Sequence, residues 1–327
     1  MAEKTPNRSR RTFNAGVLAL GASMLAGGPA VVRAFGDDAA RRVDTWQSRL
    51  ARSRRLFCIA YITPDAPGQG GQEATVARYP LAVVPQENRA VYKRWRERVR
   101  ELNPDIVLLG YQMTIEETTV PGPGHDVMRK VADCWASSTD GSAFSVDVDK
   151  AGKKRRVYDP RKREWQSNFV EACQSTLAQG PYEGLFLDQC TIYDAASPDR
   201  AVREDMRAGI QEALSELRRR EPNALVVANS AFTFRDVNGE LNESRPRDYA
   251  AELSQAAGHT DPQIELAHVI IESAADRAAL KARLKAARDY GAYFGAGRDY
   301  QHVEWYEEFD IPLPVPNPPS KPIFDKT

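Results

Sequence analysis

Tyr182-Glu183-Gly184-Leu185-Phe186-Leu187-Asp188 is a short apolar run that begins just after Gly180 and Pro181 and ends on a carboxylate. A run of this kind reads as a buried parallel strand, covered on both faces. A carboxylate at the C-terminal end of such a strand sits where barrel enzymes place their chemistry. Asp188 is therefore the first candidate catalytic residue. The plain structural alternative is a cap for a following helix.

On either side of this strand the same grammar repeats. Leu56–Ile62, Asp105–Gly110, Ala224–Asn229, Glu265–Ile271 and Ala292–Gly295 read as strands, with a shorter one at Arg156–Asp159. Helical periodicity covers 39–55, 88–103, 161–179, 199–220, 248–257 and 274–290, several of these ending at Gly or Pro. Strands that alternate with helices imply a parallel sheet. Six or seven βα units make an α/β protein whose leading architecture is a single-domain (β/α)8 TIM barrel over residues 35–311, with some irregularity. A doubly wound sheet would need a glycine-rich phosphate turn after its first strand. Thr63-Pro64-Asp65-Ala66-Pro67 is no such turn, because proline removes N–H donors. From Thr114 to Asp159 the pattern loosens, as expected of a functional insertion, and 238–247 reads as a polar loop.

The 327 residues are 42% hydrophobic and 28% charged, with a formal net charge of zero. That balance argues against a nucleic-acid partner. Ser9-Arg10-Arg11-Thr12-Phe13 precedes an apolar, Gly/Ala-rich run interrupted by Gly27, Gly28 and Pro29. Residues 1–34 thus look like a twin-arginine export signal. They predict the export machinery as a partner, a periplasmic or secreted mature protein, and no stable membrane insertion after processing. Residues 312–327 form a proline-rich tail. The four cysteines and four histidines lack metal-site spacing, so no metal or cofactor is expected. Cys58 and Cys173 read as buried free thiols. Cys190, two residues past Asp188, is expected at the rim of the site.

Three expected strand tips carry Asp188, Asn229 and Glu272, and a barrel would gather all three in one mouth. Two carboxylates and an amide around a cleft suit glycoside hydrolysis of a carbohydrate substrate. Retention of configuration needs the carboxyl groups about 5–5.5 Å apart. Glu272 has its own structural alternative, as a cap for the next helix. Asp65, Tyr111 and Gln112 are candidate sugar contacts from early strand tips, and Trp135 is a candidate stacking residue. Arg298, Asp299 and Tyr300 are expected at the rim or paired within their own loop; Trp305 and Tyr306 are expected in the core. Glu243, in the polar loop, is the alternative proton donor. Other readings of the same chain are a non-catalytic saccharide-binding barrel and an exported redox protein.

Val157-Tyr158-Asp159-Pro160, then Trp165, then Gly184-Leu185-Phe186-Leu187-Asp188 resemble the D-x-S-N-P-x-W … G-x-F-L-D pattern of barrel glycoside hydrolases. These are similar to the endo-α-polygalactosaminidase family and, more distantly, to α-galactosidase-like barrels. Cys134-Trp135 with Thr139-Asp140-Gly141, Val226–Ser230 and Val269–Ser273 resemble further elements of that group in the same order. The likeness runs from about Leu56 to Gly297. It implies a retaining glycosidase with Asp188 as nucleophile and Glu272 as general acid/base. The chain departs from the pattern just after the aspartate, where Gln189 and Cys190 stand and the next acid is Asp194.

Overall fold

A computed structural model describes residues 46–311 except 119, 132–133, 138–143, 148–153, 192–199, 230–233, 244–262 and 290. The segment expected to direct export, the tail, the expected Thr139–Gly141 turn, Asp194 and the helix expected over 248–257 lie outside the described residues.

The described residues form ten strands: β1 (Phe57–Ile59), β2 (Leu81–Val84), β3 (Val107–Met113), β4 (Ser145–Asp147), β5 (Lys154–Arg156), β6 (Gly184–Asp188), β7 (Leu225–Ala228), β8 (Gly239–Glu243), β9 (Leu266–Ile270) and β10 (Tyr293–Gly297). Eight of them form one sheet in the order β1-β2-β3-β6-β7-β8-β9-β10. Every neighbouring pair in it is parallel. The ends of the sheet meet where Leu56 bridges Phe294 in parallel and the Phe294 N–H donates to the Arg55 carbonyl at 3.0 Å. The fold is thus an irregular (β/α)8 barrel. Its connections include the helices Ala90–Leu102, Arg163–Gln179, Arg200–Arg220 and Ala274–Asp289.

Side chains alternate across each strand, which splits the core into two layers. Phe57, Ile59, Val83, Leu109, Phe186, Val227 and Leu266 pack together inside the ring. Their neighbours Cys58, Val84, Leu108, Leu185, Leu187 and Val226 face the helices. Residues 46–51 form a short helix that sends Trp46 and Leu50 into the interior cluster. Next to this helix, Glu183 collects Arg49 at 2.7 Å, Arg100 at 2.6 Å and the Leu108 N–H at 2.9 Å. Glu183 therefore anchors one end of the strand, and Asp188 ends the other.

Two staves of the barrel are additional to the sequence reading, as is β4 in the insertion. β2 is a four-residue apolar run held between Pro80 and Pro85, too short to stand out beside the glycine-rich loop. β8 was expected to be loop. Its Gly-Glu-Leu-Asn-Glu sequence has a single apolar residue, yet Leu241 pairs with Leu266 and Glu240 with Ala228. The backbone ladder, rather than any apolar run, makes it the sixth stave.

Candidate active site

Asp188 ends β6, paired in register with Met113 at the end of β3. Its carbonyl accepts the Thr114 N–H at 2.9 Å, and Asn229 docks alongside through its N–H to the Leu187 carbonyl at 2.8 Å. Three donors converge on the Asp188 carboxylate. The Tyr111 hydroxyl donates to Oδ2 at 2.6 Å, the Asn229 amide to Oδ1 at 3.0 Å, and the Gln189 N–H to Oδ1 at 2.9 Å. The last bond requires Gln189 to take a left-handed conformation, φ +52°. Such backbone costs about 1–3 kcal/mol outside glycine and tends to occur at functional sites.

Tyr111 is itself firmly seated. It stacks on Phe186, meets His125 edge-on at 5.9 Å and meets Tyr61 edge-on at 4.6 Å. Burial, followed by the neighbouring Asp188 charge, pushes its phenol well above the usual range, so it remains an O–H donor. His125 accepts the Met113 N–H at Nε2 (3.1 Å), which leaves Nδ1 as the protonated nitrogen, facing the Val120 carbonyl at 3.1 Å. Behind the strand, Gln86 donates to the Tyr111 carbonyl at 2.8 Å and to Gln112 Oε1 at 3.0 Å, and Thr176 donates to Gln86 Oε1 at 3.0 Å. The Gly124 N–H completes this network at 2.7 Å, with no room for a side chain at Gly124.

Several expected site residues are elsewhere. Gln112 is fully buried on the helix side of β3, because it follows Tyr111 and alternation turns it outward. Trp135 has no open face: Tyr158 stacks on it at 4.3 Å and the Arg156 guanidinium lies over it at 3.8 Å. The cause is the insertion, where β4 and β5 pair antiparallel and the chain continues into bridges of Val157 with Glu116 and Tyr158 with Trp135. Asp65 pairs with Arg89 at 3.0 Å, Arg298 with Glu304 at 2.6 Å, and Asp299 with His302 at 3.0 Å. The last two are thus held within their own loop. Cys190 is buried among the outward-facing core residues and is absent from the rim; all four cysteines are free and buried. Tyr306 and the Trp305–Phe309 contact belong to the core, as the sequence indicates.

Glu272 follows β9 and is exposed. Its carboxylate has no hydrogen-bond or ion-pair partner among the described residues, and Ser273 caps the next helix by accepting the Asp276 N–H at 3.2 Å. Glu243 ends β8, in register with His268 of β9. The mouth also contains Tyr300, expected at the rim, and Tyr61, to which the sequence reading gave no role. Both pack on the interior cluster, where His268 lies 5.5 Å from Tyr300. Among the described residues, no group of His, Cys, Asp and Glu is placed to hold a metal ion.

No family model matches the chain, and no curated protein does. Solved structures do. The α-L-fucosidase isoenzyme 2 of Paenibacillus thiaminolyticus is 10% identical, with a TM-score of 0.51 over 78% of this chain and 47% of that one. The glycoside hydrolase domain of PelA from Pseudomonas aeruginosa is 17% identical, TM-score 0.48, over 76% and 96% respectively. An α-galactosidase from Thermus thermophilus is 14% identical, TM-score 0.48, over 77% and 59%. What is shared is the barrel. At such identities the likeness is one of fold, and it leaves activity to be argued from the site.

Burial lowers the imidazole pKa of both His125 and His268 from 6.5 to about 4. Between those values the unfolded chain binds more protons than the folded one, so stability rises with pH across the window and falls as pH drops through it. By pH 4.5 each histidine should have withdrawn about 2–3 kcal/mol. Denaturant unfolding at pH 7 and pH 4.5 should show a smaller loss in His125→Gln and in His268→Gln than in the parent. An equal loss in all three would refute the assignment.

Proposed function

We propose that the protein is a retaining glycosidase, with a carbohydrate substrate and Asp188 as the nucleophile. The observation that carries this reading is the convergence of Tyr111, Asn229 and the Gln189 N–H on one carboxylate at the C-terminal end of a barrel strand. Oδ1 receives two donors, which occupy both of its lone pairs. Oδ2 receives one and keeps a lone pair for attack. In the first step Oδ2 bonds to the anomeric carbon while the bond to the leaving oxygen breaks and a second carboxylic acid protonates that oxygen. Water, deprotonated by the same second group, then displaces the sugar and restores the Asp188 carboxylate.

Two residues compete for the second role. Glu272 follows the seventh stave, three places around the ring from Asp188, and its exposed carboxylate is unengaged among the described residues. Glu243 ends the sixth stave, two places away. At about 4.8 Å per strand the backbones lie about 10 Å apart along the sheet for Glu243, against about 14 Å for Glu272. The shorter backbone span is the easier one for a pair of acidic residues to bridge. Glu243 also stands on a strand, which holds a proton donor better than a loop does. The reading therefore favours Glu243.

Export by the twin-arginine machinery to the periplasm or beyond, without stable membrane insertion, is part of the same reading. It is supported by the Ser9–Phe13 segment. Among the described residues no helix is long and apolar enough to cross a membrane.

Three experiments test these statements. In a screen of aryl glycosides and bacterial exopolysaccharides, Asp188→Asn should lose about 10⁴-fold in kcat and Tyr111→Phe about 10–100-fold. Saccharide binding without turnover by the parent protein would instead mark a non-catalytic binding barrel. Glu243→Gln should lose about 10²–10⁴-fold in kcat/KM on substrates with poor leaving groups and recover kcat/KM, though not kcat, on dinitrophenyl glycosides, while Glu272→Gln stays within a few fold; the reverse pattern assigns the proton donor to Glu272. Replacing Arg10 and Arg11 together by Lys should keep the protein in the cytoplasm of an exporting host, and unchanged recovery outside would remove the export claim.

A further inference from the structure

We propose that Tyr61 and Tyr300 form a sugar-stacking platform, a site for the apolar face of a pyranose ring across the mouth from Asp188. The proposal rests on the glycosidase reading and goes beyond it by assigning the second wall of the cleft.

Position is the first argument. Tyr61 continues the parity of Phe57 and Ile59 just past the first stave, and Tyr300 follows the eighth. Asp188 and Asn229 stand on the fourth and fifth. In a ring of eight, staves one and eight lie opposite four and five. The seam tyrosines therefore face the carboxylate across the opening.

Exposure is the second. Phe57, Phe186 and Tyr293 also point into the ring, and all three are buried. Tyr61 and Tyr300 are only partly buried, although they pack on the same cluster. Among the described residues they are aromatic side chains that the interior cluster leaves partly exposed at its mouth. The tryptophan that sequence offers for this task, Trp135, is covered on both faces.

The third argument is rigidity, since a preorganised aromatic surface loses little freedom when a ring settles on it. The Tyr61 N–H donates to the Tyr300 carbonyl at 2.6 Å, and the two rings meet edge-on at 5.9 Å. Tyr111 braces Tyr61 from the other side at 4.6 Å. Above them, a chain of glutamines ties the loop after stave one to the loop after stave eight. Gln69 accepts the Thr63 N–H at 2.7 Å and donates to Gln301 Oε1 at 3.0 Å. Gln72 donates to the Gln301 carbonyl at 2.9 Å and accepts the Val303 N–H at 2.6 Å. Tyr111 lies between the two, meeting the Tyr61 ring on one side and donating to Asp188 on the other. Such a surface recognises the C–H face of a sugar by shape and π-contact rather than by charge.

The test uses Asp188→Asn, which keeps ligand uncleaved, with oligosaccharides of galactose, glucose, fucose and galactosamine as probes in titration calorimetry. Adding Tyr61→Ala or Tyr300→Ala should weaken binding about 10-fold or more, and Phe at either position should stay within about 3-fold. Tyr→Leu at each position retains apolar volume without the π face; it should keep the thermal midpoint and still lose binding. Unchanged affinity in the Ala and Leu variants overturns the platform and leaves the glycosidase reading standing. If Asp188→Asn binds none of the four probes, both fall together.

Discussion

One parallel seam, Leu56 against Phe294, turns eight strands into a ring, and the site depends on that closure. An open sheet would leave Asp188 and the seam tyrosines on distant edges. Once closed, the sheet has one interior, and pleat parity decides which residue of every pair enters it. Tyr111 enters and Gln112 leaves for this reason alone. The seam is reinforced by the Arg55 guanidinium on the Gly291 carbonyl and by the contact from Tyr61 N–H to the Tyr300 carbonyl above it. Closure and the proposed sugar platform therefore share the same backbone.

Around Asp188 the structure favours fixed orientation over mobility. The donors come from three places: stave three, stave five and the peptide bond that follows the aspartate. Each is braced in turn. Tyr111 leans on Phe186 and His125, Asn229 is tied to the Leu187 carbonyl, and Gln189 accepts an unusual φ. Buried polar networks specify a single arrangement only when their members are satisfied. The Gln86–Gln112–Thr176 network behind β3 shows the same economy, holding the Tyr111 carbonyl from outside the barrel.

The insertion after stave three is held differently. Arg155 pairs with Glu116, Arg156 with Glu117, and Trp135 lies between Arg156 and Tyr158. There Trp135 is engaged by its neighbours in the insertion. A tryptophan within a glycosidase-like sequence pattern can thus be a structural rivet, and the residue type alone does not distinguish the two uses.

Much of the barrel was legible because a buried parallel strand must be apolar on both faces. Gly184–Leu187, Leu225–Ala228 and the strand carrying Leu108 announce themselves by composition. The placement of Asp188 and Asn229 side by side follows from the same logic, since a strand that ends in a polar residue must deliver it to one rim. Tertiary structure alone decided the rest. β8 is a strand through its pairing with β7 and β9, which no local pattern in Gly239–Glu243 encodes. Partner identity also decided that Trp135, Asp65 and Arg298 are spent on their neighbours and that Tyr61 meets Tyr300. Local sequence determines which backbone a segment prefers; which side chains face each other across a ring depends on closure, a contact between Leu56 and Phe294 far apart in the chain.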